Sequence, residues 1–150
     1  MATFTKVNDF VANLANGEMN LGGDALVLAL SDTAPASETS DPTADTNGVL
    51  ANVTEVAYTN LSSRALTTST STQTSGTYSL VLNDITLSAS GGAVAGFRYI
   101  YIYDDTSATP DDQLIGLYDY GSTLNLADGE SLTVDFGADG PTTGTLLTIA

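Results

Sequence analysis

The sequence predicts a mainly β protein: an antiparallel β-sandwich or jelly-roll-like domain with a short N-terminal helix. Two observations carry this. The stretch 96–105 (GFRYIYIYDD) places Phe97, Tyr99, Tyr101 and Tyr103 on one side of an extended chain and Arg98, Ile100, Ile102 and Asp104 on the other. A strand apolar on both faces belongs inside a sheet, with something packed on each side. Around it, short alternating segments recur between turn signals at Gly76, Asn83-Asp84, Ser90-Gly91-Gly92 and Asp128-Gly129. At 150 residues the chain is one domain, 1–150, long enough to bury a core.

The elements follow in order. Phe4, Val7, Phe10, Val11 and Leu14 form an amphipathic stripe, so residues 1–20 read as a helix or arm of roughly three turns, capped by Thr3 or Thr5 and ended by Asn16-Gly17. Such a helix needs a surface, either the sheet of its own subunit or a neighbouring one. After Gly22-Gly23, the run 25–30 (ALVLAL) reads as a buried strand. Residues 31–48, with Pro35, Pro42, Glu38, Asp41 and Asp45, read as an exposed loop, a contact segment or a mobile one. Residues 49–58 fit a helical turn or an irregular strand. The Thr- and Ser-rich stretch 61–76 reads as a solvent-facing or edge strand of weak register, or as a linker.

Tyr78, Leu80 and Leu82 then alternate with Thr77, Ser79 and Val81 in a clear strand, followed by a short one at 85–88. The central strand comes next. The segment 104–112, with Pro110, reads as a loop; 113–120 as its antiparallel partner, ended by Gly121; 132–136 and 145–149 as the last strands.

Composition limits function. Hydrophobic residues make up 42% of the chain and charged ones 14%, so Thr, Ser, Asn and Gly must build much of the surface. Eighteen acidic residues against three basic ones leave a net charge of -15. Too few cations remain to displace phosphate counterions, which argues against nucleic acid as a partner. Spread over a sphere of the expected radius at physiological salt, that charge has a self-energy on the order of 10 kcal/mol, so self-association requires a contact poor in charge or an offsetting cation. With no Cys and no His, disulfides, thiolate sites and the usual nucleophile–base systems are absent, and no cofactor is expected. The start MATFTK is not a signal peptide, and no run is long enough for a membrane helix, so no membrane partner is expected and synthesis in the cytoplasm is.

Three constellations could carry chemistry. Asp104, Asp105, Asp111 and Asp112 flank one loop and could ligate calcium, although the regular calcium-loop spacing is absent and a solvated loop is the simpler reading. Asp119, Glu130 and Asp135 stand among tyrosines and could cleave or bind a glycan, but nothing else supports an enzyme. Arg98, the last of the three basic residues, needs a carboxylate such as Asp119 or Asp135, or contacts another subunit.

Several segments match in order those of a known group: Phe4-Thr5-Lys6 with Asp9-Phe10, Leu28-Ala29-Leu30 followed by Thr33-Ala34-Pro35, Gln73 to Thr77, Ala89-Ser90-Gly91-Gly92 and Phe97-Arg98-Tyr99. Leu114-Ile115-Gly116, Asp119 to Ser122, Leu126 to Glu130, Thr133 to Phe136 and the ending Leu146 to Ala150 continue the match. On these residues the chain resembles a family of small structural proteins of tailed bacteriophages. Residues 38–60 lie outside the resemblance. It implies a virion component on the capsid exterior, a decoration or cement protein that binds the major capsid protein, often as a trimer, with no catalytic residues. The candidate subunit or partner contacts are Phe4, Phe10, Val11 and Leu14, Pro35 in the loop, and Arg98, Tyr101 and Tyr103 in the central strand. A tail- or fibre-associated protein is the alternative within that class; a carbohydrate- or receptor-binding module is the alternative outside it.

Overall fold

The computed structural model describes residues 2–137 and 142–150. Among these, nine strands, one α-helix and two 3-10 turns follow in the order β1 (Phe4–Lys6), α1 (Asp9–Ala15), β2 (Leu26–Ser31), β3 (Thr68–Thr74), β4 (Thr77–Asn83), β5 (Ile85–Ser88), β6 (Val94–Ala108), β7 (Asp111–Leu126), β8 (Ser131–Val134) and β9 (Thr143–Ile149). Every ladder is antiparallel. One sheet has the order β1-β7-β6-β2; a second has β3-β4-β9; β5 pairs with β8. Only Asp84 separates β4 from β5, and its backbone N–H and carboxylate bond Thr142 O and Phe136 N at 2.8 and 3.1 Å. The two smaller ladders thus run on as a broken second layer. The chain is mainly β, a sandwich with open edges. Residues of α1 and of all three ladders share one apolar core, in which Leu28, Leu30, Leu80, Leu82, Leu87, Phe97 and Ile102 are fully buried.

The central strand β6 is covered on both faces, as its alternation requires. Ile100 and its cross-strand partner Tyr118 look toward Leu132 and Val134 of β8. Tyr101 and Tyr103 face the long excursion between β2 and β3: Tyr101 lies near Glu38 and Asp41, and Tyr103 near Glu55 and Arg64. Residues 31–48 are therefore not a free loop. Pro42 and Gly48 are buried, Asn8 N–H donates to Thr43 O at 3.3 Å, and the Asp9 carboxylate accepts the Thr46 and Gly48 amides at 2.8 and 2.9 Å. The stretch 49–58 holds a 3-10 turn at Leu50–Asn52 and is otherwise irregular.

The N-terminal reading needs correction. Phe4 and Val7 lie outside the helix: Phe4–Lys6 is an edge strand on β7, and α1 has only seven residues. Backbone pairing to β7 satisfies residues that a helix would have left as a frayed first turn. Asn16-Gly17 does end the helix, with Gly17 at φ +75°. The segment 104–112 is likewise no open loop, since β6 and β7 pair out to Ala108–Asp111 and only Thr109-Pro110 turns the chain. Gly121 does not end β7 but sits inside it at φ +95°. The Thr-rich stretch is an edge strand, β3, with an irregular register at Thr68/Thr70. The connection 137–144 falls partly outside the described residues.

Candidate interaction surface

Of the proposed contact residues, the structure brings together three. Phe10, Val11 and Leu14 of α1 form one wall of a groove of about 330 Å³ whose other wall is the end of β9, Leu147, Thr148, Ile149 and Ala150. Phe10 forms its buried floor, Leu14 is half-buried, and Val11 and Ile149 are 52% and 37% exposed. Through Leu14 and Ile149 the groove continues into a second hollow of about 220 Å³ beside Met19, Leu21 and Tyr78. β9 ends the order β3-β4-β9, so its Leu147–Ile149 portion borders the groove as a sheet edge with mostly apolar side chains. The single charged side chain lining this strip is Lys6, at the rim, which has no ion-pair partner among the described residues.

The other candidates lie elsewhere. The Phe4 ring packs on Tyr118, centroids 5.3 Å apart, and serves the fold. Pro35, itself half-buried, opens a 3-10 turn whose other two residues are exposed. Tyr101 and Tyr103 are 0% and 6% exposed, so the covering excursion removes both from any partner contact. Burial, then Glu38 and Asp41, holds the Tyr101 phenol well above its ordinary pKa. Arg98 does pair with Asp119, its Nε and a terminal guanidinium nitrogen donating to the two carboxylate oxygens at 2.7 and 2.8 Å. Those bonds hold Asp119 below the usual carboxylate range. The pair sits on the surface rather than in the core.

The hairpin aspartates do not form a cage. Asp104 is buried on one face while Asp105 and Asp111 are exposed, and no three acidic side chains converge on a metal-sized point among the described residues. Neighbouring residues on a strand face opposite ways, which separates Asp104 from Asp105. Asp135, Tyr118 and Tyr120 do meet, with Ile100, around a hollow of about 190 Å³; Glu130 instead accepts the Ala127 amide at a turn.

One cluster escaped the sequence reading. Arg64 stacks on the Tyr58 ring at 3.6 Å, lies 3.9 Å from Glu55 and donates to Leu28 O; the Tyr58 hydroxyl donates to Glu55 and accepts Leu30 N–H. Together with Leu28 N–H to Arg64 O, Val56 N–H to Leu30 O and Leu66 N–H to Leu26 O, it covers the outer edge of β2. The signal was present in the sequence: Arg64 is one of only three cations in a chain with eighteen acidic residues, so a carboxylate partner was to be sought for it. Burial and the Glu55 bond push the Tyr58 phenol up, so it stays a protonated donor rather than a base.

Comparison with protein-family models, curated proteins and solved structures finds no match for this chain.

Proposed function

We propose that this chain is a non-enzymatic structural protein of a tailed-phage particle, a decoration protein on the capsid exterior that braces major capsid subunits and assembles as a trimer. The observation that carries the reading is the apolar strip of α1 and β9, holding one charged side chain in a chain of net charge -15. A protein present at high copy number must repel its free copies and still adhere where a charge-poor surface meets its seat. The resemblance to phage structural proteins names the particle; the strip supplies the means of attachment. Quantitative mass spectrometry of purified virions tests it, with light scattering for the subunit count. A stable trimer with hundreds of copies per particle supports the reading, a few copies at the tail favour the tail-associated alternative, and no copies overturn it.

A second reading rests on the hollow at Tyr118, Tyr120 and Asp135, where an exposed tyrosine and a carboxylate flank an apolar floor suited to a sugar ring. Saturable binding on a glycan panel that Tyr120→Ala removes would move that reading ahead.

A further inference from the structure

At the base of the β6–β7 hairpin, two buried acceptors lack a donor among the described residues. Asp104 and Gln113 are direct cross-strand partners and both are 0% exposed. Such a pair stands on one face of the sheet with side chains roughly 5 Å apart at their origins. The Asp104 Oδ1 atom accepts Thr106 and Ser107 amides at 2.9 and 3.2 Å, but Oδ2 has no donor. The Gln113 amide is oriented by its NH2 group, which faces Glu18 Oε2 at 3.4 Å and Pro110 O at 3.3 Å. That leaves Oε1 turned away from both, buried and without a donor.

The segment from Glu18 to Asp24 lies over this pair. Glu18 meets Gln113, and the Asp24 carboxyl meets that of Asp104, with Asp24 fixed by accepting Asn20 N–H at 2.5 Å. No basic side chain is available to this row: Arg64 is held by Glu55, Arg98 by Asp119, and Lys6 lies at the α1–β9 groove. Two touching carboxyls, one of them fully buried, cannot both be charged without a counter-ion. A shared proton would satisfy Asp104 Oδ2 alone. A hard cation would satisfy Oδ2 and Gln113 Oε1 together, because both are oxygen donors of the kind calcium accepts.

We infer that Asp24, Asp104 and the Gln113 amide oxygen form a site for a hard divalent cation of the calcium class, which ties the 18–24 segment to the hairpin base. The site differs from a loop of four hairpin aspartates, since Asp105, Asp111 and Asp112 take no part.

The test is a thermal melt and a calorimetric titration of the full chain, stripped with chelator, against calcium chloride, with magnesium chloride and with sodium chloride at equal ionic strength. Expected is saturable binding of one calcium per chain and a rise in Tm of roughly 5–10 °C at a hundredfold excess over Kd. Asp104→Asn and, should that variant fail to fold, Asp24→Asn abolish both, while the double change Asp111→Asn with Asp112→Asn preserves them. A rise that sodium matches, or that survives Asp104→Asn, is screening of the net charge and overturns the inference. Equally, no calcium response together with a higher Tm in Asp104→Asn assigns the pair to a shared proton and overturns it.

Discussion

Tyr101 buries a hydroxyl that has no hydrogen-bond partner among the described residues, beneath the excursion that follows β2. An unmade bond of this kind costs stability, so removing the oxygen with the ring kept in place removes the cost. Tyr101→Phe is expected to leave stability unchanged or raise it by up to about 1 kcal/mol in urea denaturation. Arg64 is the contrary case, because its cation stacks on Tyr58, bonds Leu28 O and neutralises Glu55 within one half-buried cluster. Arg64→Ala should cost roughly 2–3 kcal/mol by the same measurement, and a loss below about 0.5 kcal/mol would show that the cluster contributes little. Arg98, equally cationic but on the surface, should change stability far less when replaced.

At the scale of the element, β1 is three residues held on β7 over Gly116. A Cβ at that position would lie 2.4 Å from the Phe4 ring and 2.6 Å from Thr5 O. Gly116→Ala is expected to lift β1 off the sheet, costing roughly 1–3 kcal/mol and accelerating hydrogen exchange at the Val7 amide, which bonds Ile115 O at 3.1 Å. Unchanged exchange there would mean that the strand absorbs the methyl. The contrast between the β2 and β9 edges is also an element-scale matter. β2 is covered by the Arg64 cluster, whereas the end of β9 borders a groove. Leu147→Asp and Val11→Asp should therefore leave the monomer folded and weaken particle binding at least tenfold, measured by co-sedimentation with capsids lacking the protein.

For the whole molecule, alkaline pH is the revealing variable. Tyr118 is raised from 10.0 to about 12, first by burial and then by Asp135, and Tyr58, Tyr101 and Tyr103 are raised by burial as well. A phenol whose folded pKa exceeds its unfolded one gives stability that is complete below pH 10 and is lost as pH climbs toward the folded value. Stability should fall steeply between about pH 10 and 12 as the unfolded chain releases protons that the fold retains. Tyr118→Phe should flatten that slope by up to one proton, and a flat profile for the parent protein would show that these rings open to solvent before the fold does. The charge of -15 acts in the opposite experimental direction, since added salt should raise association before it alters any single contact.

Period and composition alone determined the two-sided character of β6, the alternation of β4, the turn at Asp128-Gly129 and the excess of negative charge, while leaving Arg98 to choose among Asp119, Asp135 and another subunit. Each depends on residues close in sequence or on simple counting. Tertiary structure decided what covers each face. Phe4 and Val7 share a helical spacing with Phe10, yet β7, more than a hundred residues away, offers Phe4 a ladder that outcompetes a helical turn. The tyrosine face resembles a contact surface until residues 31–66 fold over it, and the hairpin tip resembles a loop until β6 and β7 pair through it. Likewise, four aspartates adjacent in sequence suggest one cage, but the strand pleat sends them to different faces and brings Asp104 beside Asp24 and Gln113 instead. A local pattern records which side chains avoid water; which partner removes the water is settled only by contacts that close when distant segments meet.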